Sequence, residues 1–303
     1  MSGGPAKLRA LMKSSDFIAA PGAFDPFTAR IIESIGFPAV YLGGNAIGLH
    51  LGVGQPMVNL TETADCARRV LGAINAPLIV DAGAGFGEPA HTHRAVRELE
   101  RAGIAAIHID DQPYPKRAHY HAGKGGLAAL GDVVDKLSIA LTARRDPDFM
   151  IFARTDALRV TRSLEQTIER CRAYAEAGVD GLLVLDLAPD QVAAVREALP
   201  ATPLAWFVSP AMAIPSVKEL QAAGFKLALY PFNTAAAIAE AVTAIWTSLW
   251  QEGQLQQSSV TLGQLRDSVQ HLIGMPIYWD IERRTVARER APEDTHSNAA
   301  GRS

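Results

Sequence analysis

Eight short apolar runs, each followed by a longer stretch of helical period, constrain this chain more than any other feature of its sequence. The runs are residues 17–20, 39–42, 77–81, 105–110, 149–153, 181–185, 204–208 and 227–230. Between them lie 26–35, 61–74, 91–102, 132–144, 164–177, 189–198 and 216–223, where apolar residues recur every three or four positions. Gly36, Gly103, Gly178 and Gly224 each stand just after a last helical turn. Glycine takes the left-handed cap cheaply, so each is a helix stop with a mechanism. Eight strand-then-helix units predict an α/β protein, a (β/α)8 TIM barrel. A doubly wound open sheet is the competing arrangement, but no G-x-G-x-x-G follows the first run. No internal linker interrupts the pattern, so residues 1–287 are expected to form one barrel domain with extra C-terminal helices. Those helices, 234–251 and a second one ending at Gly274, must bury their apolar faces somewhere. A second copy of the chain is one solution, which predicts a homo-oligomer. The polar, proline-interrupted residues 288–303 are expected to be disordered.

Composition excludes several classes of partner. A net charge of −3 and a pI near 6.2 leave no basic field for a phosphate backbone, so no nucleic acid is expected. No run of eighteen apolar residues appears, so no membrane span is expected either. The N-terminal MSGGPAKLRALMKSS lacks the apolar core of a signal peptide. Cys66 and Cys171 show no metal or disulfide spacing and read as buried thiols of a reducing, cytoplasmic compartment.

In a barrel, the residues at the carboxyl ends of the strands form the site, because loops converge there on a rigid frame. The richest stretch is 104–125, an apolar run ending in Asp110 and Asp111 and opening into Lys116, Arg117, His119, Tyr120, His121 and Lys124. A solvated loop after a core strand is the plain alternative. Gly43 and Gly44 follow the second run, where exposed N–H groups can hold a carboxylate or an enolate oxygen, or where a tight turn simply needs glycine. Asp81 ends the third run. Carboxylates on adjacent strands lie about 5 Å apart at the backbone, so Asp81 and Asp110 can share one hard cation, Mg2+ or Mn2+. In the competing arrangement, Asp81 caps a helix and Asp110 pairs with a loop lysine. Arg154 ends the fifth run, where its planar fork suits a substrate carboxylate, or pairs with Asp156 or Asp186 as a structural bridge. His119 and His121 are candidate proton carriers. No nucleophile-elbow serine or phosphate-cradling G-x-x-x-x-G-K-[ST] is present.

Taken together, YLGG after the second run, DAGAGFG after the third, IDDQPYPKR…GK after the fourth and ARTDA after the fifth resemble the isocitrate lyase and phosphoenolpyruvate mutase superfamily, over residues 17–230. The resemblance implies a barrel whose eighth helix swaps between subunits, a dimer of dimers, Mg2+ at the strand ends and a small carboxylic acid as substrate. The implied reactions cleave or form C–C or C–P bonds through an enolate. It assigns Tyr41, Gly43 and Gly44 to the substrate pocket, Asp81 to the metal and substrate, Asp110 to metal-bound water and Arg154 to the substrate. Lys116 and Arg117 match its gating loop. Four positions depart from the family pattern. Gly83 stands where D-x-D-T-G-Y-G has its second acid, and Ala118 replaces the cysteine of K-R-C-G-H. Gln55 takes the place of an acid, and the asparagine usual after the seventh strand is missing from LAWFVSP. The missing cysteine acid argues against isocitrate and 2-methylisocitrate cleavage by the usual route, unless His119, Tyr120 or His121 supplies that proton. The expected activity is lyase or decarboxylase chemistry on a 2-oxo or 2-hydroxy acid. Phosphonopyruvate-type C–P chemistry and a metal-free organic-acid site of the same fold are the alternatives.

Overall fold

The computed structural model describes residues 3–119, 125–209 and 212–286. Its eight strands are β1 (Ile18–Pro21), β2 (Val40–Leu42), β3 (Leu78–Asp81), β4 (Ala106–Asp110), β5 (Met150–Thr155), β6 (Gly181–Val184), β7 (Leu204–Phe207) and β8 (Leu227–Tyr230). All pair in parallel, in the order β1-β8-β7-β6-β5-β4-β3-β2. A parallel bridge between Gly22 and Tyr41 joins the two ends of that order, and the Ala23 N–H donates to the Tyr41 carbonyl at 2.8 Å. The expected (β/α)8 barrel is therefore the fold.

Side chains on a strand alternate between two faces, and here the alternation separates two cores. Ile18, Tyr41, Ile79, Ala106, Phe152, Leu183, Ala205 and Leu229 share the inner cluster. Val40, Val80, Ile107, Ile109, Ile151, Leu182 and Trp206 belong to the outer one, against the helices. Continuing the inner parity toward the carboxyl ends reaches Asp81 on β3, His108 and Asp110 on β4, and Arg154 on β5. The alternation of these fully covered strands is masked in the sequence, because both faces are apolar.

The four glycine stops hold: Gly36, Gly103, Gly178 and Gly224 have φ of 102°, 87°, 96° and 97°. Helix Pro26–Ile35 starts on an Asp25 cap to the Thr28 N–H at 2.7 Å, and Leu60–Leu71 starts on an Asn59–Glu62 capping box. Helix Gly4–Lys13, which the strand count does not anticipate, buries Leu8 completely in the inner cluster, with Leu11 and Met12 packed beside it. Two short helices at the rim, Gly44–Leu51 and Ala157–Thr161, were also not anticipated.

The chain divides into two compact units, Met1–Ala244 and Ile245–Ser303. Helices Asn233–Glu252, Ser259–Leu272 and Met275–Arg284 bury none of their residues, and Trp250 is 89% exposed. The tail expected over 288–303 lies outside the described residues. Among the described residues no helix is long and apolar enough to cross a membrane.

Candidate active site

The register decides which of the predicted residues meet. Asp81 pairs across the sheet with His108, and Asp110 pairs with Arg154. Asp110 thus stands two residues beyond Asp81's neighbour, a backbone diagonal of about 8 Å rather than the 5 Å of directly facing residues. A histidine takes the place beside Asp81.

Asp81 is 4% exposed, and both its oxygens accept hydrogen bonds. Oδ1 takes the Gly83 N–H at 2.8 Å; Oδ2 takes the Gly44 N–H at 3.3 Å and Gln55 Nε2 at 3.1 Å. Burial alone would push its pKa up, but His108, Lys116, Arg154 and the Gly83 N–H together hold it below the usual carboxylate range. The Gly44 amide, expected to face substrate, is thus directed at Asp81. The pair is closely approached: a Cβ on Gly44 would lie 2.7 Å from Gln55 Nε2 and displace that amide, and one on Gly43 would lie 3.0 Å from Tyr41 Cε1.

His108 is 1% exposed. Its Nε2 lies 2.8 Å from the Tyr41 hydroxyl, its Nδ1 lies 3.7 Å from Asp81 Oδ1, and the two rings stack. Burial pushes its pKa down to about 4 against the pull of Asp81, so the ring is neutral at pH 7. This residue was missed by the sequence reading. One histidine inside the apolar run AIHID is a weak signal, and only the inward parity it shares with Asp110 could have found it.

Arg154 is 4% exposed and holds Asp156 through two edges, Nε to Oδ1 at 2.8 Å and Nη2 to Oδ2 at 3.2 Å. Its guanidinium lies 5.2 Å from the centre of the Phe207 ring. Gln112 Nε2 donates to Asp156 at 2.7 Å. Behind this pair, Asp111 faces the other side of β4 and accepts from Thr155 Oγ1 at 2.6 Å, the Asp156 N–H at 2.9 Å, the Tyr174 hydroxyl at 3.0 Å and Arg170 at 3.2 Å. Burial and the neighbouring Asp156 push Asp111 up to about 6. Asp186, the other candidate partner of Arg154, instead binds Arg159 through two edges at 2.7 and 2.8 Å.

The side chain of Lys116 is 6% exposed and its ammonium donates to Asp110 Oδ2. The competing sequence reading of Asp110, a pair with a loop lysine, is therefore what the structure contains. Burial opposes the ammonium's charge, but Asp110 and Asp81 outweigh it and raise its pKa. A Cβ on Gly83 would lie 3.7 Å from Lys116 Cε and 3.9 Å from its Nζ, so the lysine head stands over the position of the family's second acid. A cavity of about 30 Å³, room for a water or so, remains between Gln55, Asp81, Gly83 and Lys116. Arg117 and His119 are exposed and stand outside this cluster. Tyr120 and His121 lie outside the described residues.

The donor set does not fit a resident Mg2+ or Mn2+. Asp110 is turned to an ammonium, Asp81 to two amides and a glutamine, and Gly83 brings no oxygen. Among the described residues no group of three His, Cys, Asp or Glu side chains converges. A dication about 4 Å from a buried ammonium would meet a repulsion on the order of 8 kcal/mol at an effective dielectric of about 20. Asp81 and Asp110 are thus diagonal neighbours on the inner face, with the Lys116 ammonium paired to Asp110 and attracted by both.

A closed parallel barrel with carboxylate, arginine, lysine and a tyrosine–histidine pair gathered at its carboxyl rim defines a (β/α)8 enzyme. The chain belongs to the phosphoenolpyruvate mutase family within the isocitrate lyase superfamily: the profile described as phosphoenolpyruvate phosphomutase matches residues 8–283. It is 35% identical to the 2,3-dimethylmalate lyase of Eubacterium barkeri, over 86% of this chain and 92% of that one. It is 34% identical to the 2-methylisocitrate lyase of Aeropyrum pernix, over 96% and 94%. A structure of oxaloacetate acetylhydrolase in complex with 3,3-difluorooxalacetate superposes with a TM-score of 0.85 at 26% identity, over 94% of this chain and 97% of that one. The protein is a carbon–carbon lyase of that superfamily.

Proposed function

We propose that the protein cleaves a C–C bond of a small 2-hydroxy or 2-oxo carboxylic acid, by retro-aldol or decarboxylation, through an enolate. The observation that carries this reading is the convergence of Arg154, Lys116, Asp81 and the Tyr41–His108 pair on the inner face of neighbouring strands. Arg154, locked at one edge by Asp156, offers its fork to the substrate carboxylate. Positive charge fixed beside Asp81 lowers the energy of the negative charge that develops on the oxo or hydroxy oxygen, usually the largest catalytic contribution. Ala118 has no proton to give, so the neutral His108, hydrogen-bonded to Tyr41, is the group that moves one. The loop residues Arg117, His119, Tyr120 and His121 remain candidates for contact with bound substrate. The names of the lyases and the hydrolase above, which mention dimethylmalate, 2-methylisocitrate and oxaloacetate, give the size and charge class of the acid.

The surrounding expectations fit this reading. Cys66 and Cys171 are free and buried, in keeping with a reducing cytoplasm. The exposed Trp246, Trp250, Ile277 and Trp279 on the terminal helices supply apolar surface for a homo-oligomer built by helix exchange.

The test is a screen of oxaloacetate, 2-methylisocitrate, 2,3-dimethylmalate and phosphonopyruvate, with pyruvate release followed by lactate dehydrogenase. Pyruvate from one of the first three, abolished in a folded Asp81→Ala variant, is the expected outcome. Release from phosphonopyruvate alone, or full turnover in that variant, refutes the reading.

A further inference from the structure

We propose that the ammonium of Lys116 is this site's resident cation, standing in for a divalent metal, so that the site binds its acid without Mg2+ or Mn2+. This deepens the reading above and rests on it for the ligand class, but not for the metal.

Three independent placements lead to it. First, the lysine head is buried and paired with Asp110, the carboxylate that would otherwise hold a cation's water. A long, strongly hydrated side chain gives up its water only for a strong partner. Second, the space in front of it was opened by the residues around it. With Gly83 in place of an acid, the nearest approach of a Cβ to the lysine is ordinary van der Waals contact, and the ammonium stands where an acidic side chain would reach. Third, the remaining acidic position is neutral. Gln55 donates an amide hydrogen to Asp81 Oδ2, whereas a carboxylate there would leave that oxygen only the Gly44 N–H and add the negative charge a dication needs.

These placements are mutually consistent. Two negative groups are lost relative to the family pattern, at positions 55 and 83, while the loop lysine that matches the family's own is kept, so the local balance shifts toward positive without an added ion. A monovalent ammonium needs fewer carboxylates than Mg2+ does. An ammonium is also a hydrogen-bond donor, so it can contact an enolate oxygen directly while holding Asp110, a geometry open to lysine's three rotatable hydrogens.

The experiment uses the full-length protein and two probes. Mn2+ is titrated alone and followed by electron paramagnetic resonance. Oxalate, which has the shape and charge of a pyruvate enolate, is titrated calorimetrically in EDTA and in 5 mM Mg2+, a concentration chosen on the order of cellular excess. The wild-type protein is expected to show no saturable Mn2+ site below millimolar concentration and an oxalate affinity unchanged within about twofold between EDTA and Mg2+. Lys116→Gln and Lys116→Met, checked for folding by thermal melting, are expected to lose oxalate affinity in EDTA by tenfold or more. Both should also bind Mn2+ at least tenfold more tightly than wild type, because the carboxylates lose their built-in partner. A submillimolar Mn2+ site in the wild-type protein, or oxalate binding that appears only with Mg2+, overturns the proposal. Failure of oxalate to bind under either condition sinks the enolate reading, while the Mn2+ titration still decides the metal question.

Discussion

Replacing His108 by glutamine removes a group that titrates in the unfolded chain at its ordinary 6.5 but is held down to about 4 in the folded one. The cause is burial at 1% exposure, opposed by the attraction of Asp81. As pH falls through 6.5 the unfolded chain takes up this proton and the folded chain does not. Stability is therefore present above 6.5, is lost progressively down to about 4, and stays level below that. The difference of about 2.5 pH units is worth roughly 3 kcal/mol at 1.36 kcal/mol per unit. Glutamine keeps an amide to meet the Tyr41 hydroxyl and does not titrate. Guanidinium unfolding of both proteins at pH 7.5 and pH 4.5 should show the wild type losing about 3 kcal/mol more than His108→Gln over that interval. Two carboxylates also titrate; Asp111 does so in both proteins, whereas Asp81 is held low partly by His108, so its contribution is followed separately at lower pH. Asp81, held low, loses its contribution only below 3.8. Asp111, raised to about 6, favours the fold below 3.8 and loses that advantage as pH rises through 6. Parallel stability curves for the two proteins from pH 7.5 to 4.5 would refute the neutral, buried histidine.

Two further substitutions test Arg154 and the groups that hold it. Arg154→Lys exchanges a two-edged clamp on Asp156 for a single point contact, which should lower stability by about 2 kcal/mol and raise KM for the acid at least tenfold. Unchanged melting and unchanged kinetics would make Arg154 a bystander. Asp111→Ala removes the acceptor shared by Thr155, Tyr174, Arg170 and the Asp156 N–H, and should cost about 3–5 kcal/mol in chemical denaturation. A loss below about 1 kcal/mol would show that these donors find other partners.

The barrel was legible because helix stops and apolar runs are local, and eight apolar runs alternating with helical stretches leave few closed solutions. Asp81, Asp110 and Arg154 were legible as strand-end residues for the same reason. What the residue string does not carry is stagger. Whether Asp81 faces His108 or Asp110 depends on how far neighbouring strands slide as the sheet closes, and a two-residue slide changes the neighbour of Asp81 from a carboxylate to an imidazole. His108 stayed hidden for that reason. Lys116 was visible as a charge, and its pairing with Asp110 was visible as an alternative. The structure contains that pairing, with the lysine head 3.7–3.9 Å from where a Cβ on Gly83 would stand. The N-terminal helix was missed because it was weighed only as a possible leader, while Leu8 in fact fills the foot of the barrel.

The consecutive acids Asp110 and Asp111 point to opposite sides of one strand, which gives the outer layer a mechanical handle on the inner one. Arg170 and Tyr174, on helix Leu164–Glu176, grip Asp111; Asp111 grips the backbone of Asp156; and Asp156 sets the edge on which Arg154 turns. Drift on the outside of that helix can therefore retune the tilt of the guanidinium while every residue lining the cavity stays the same.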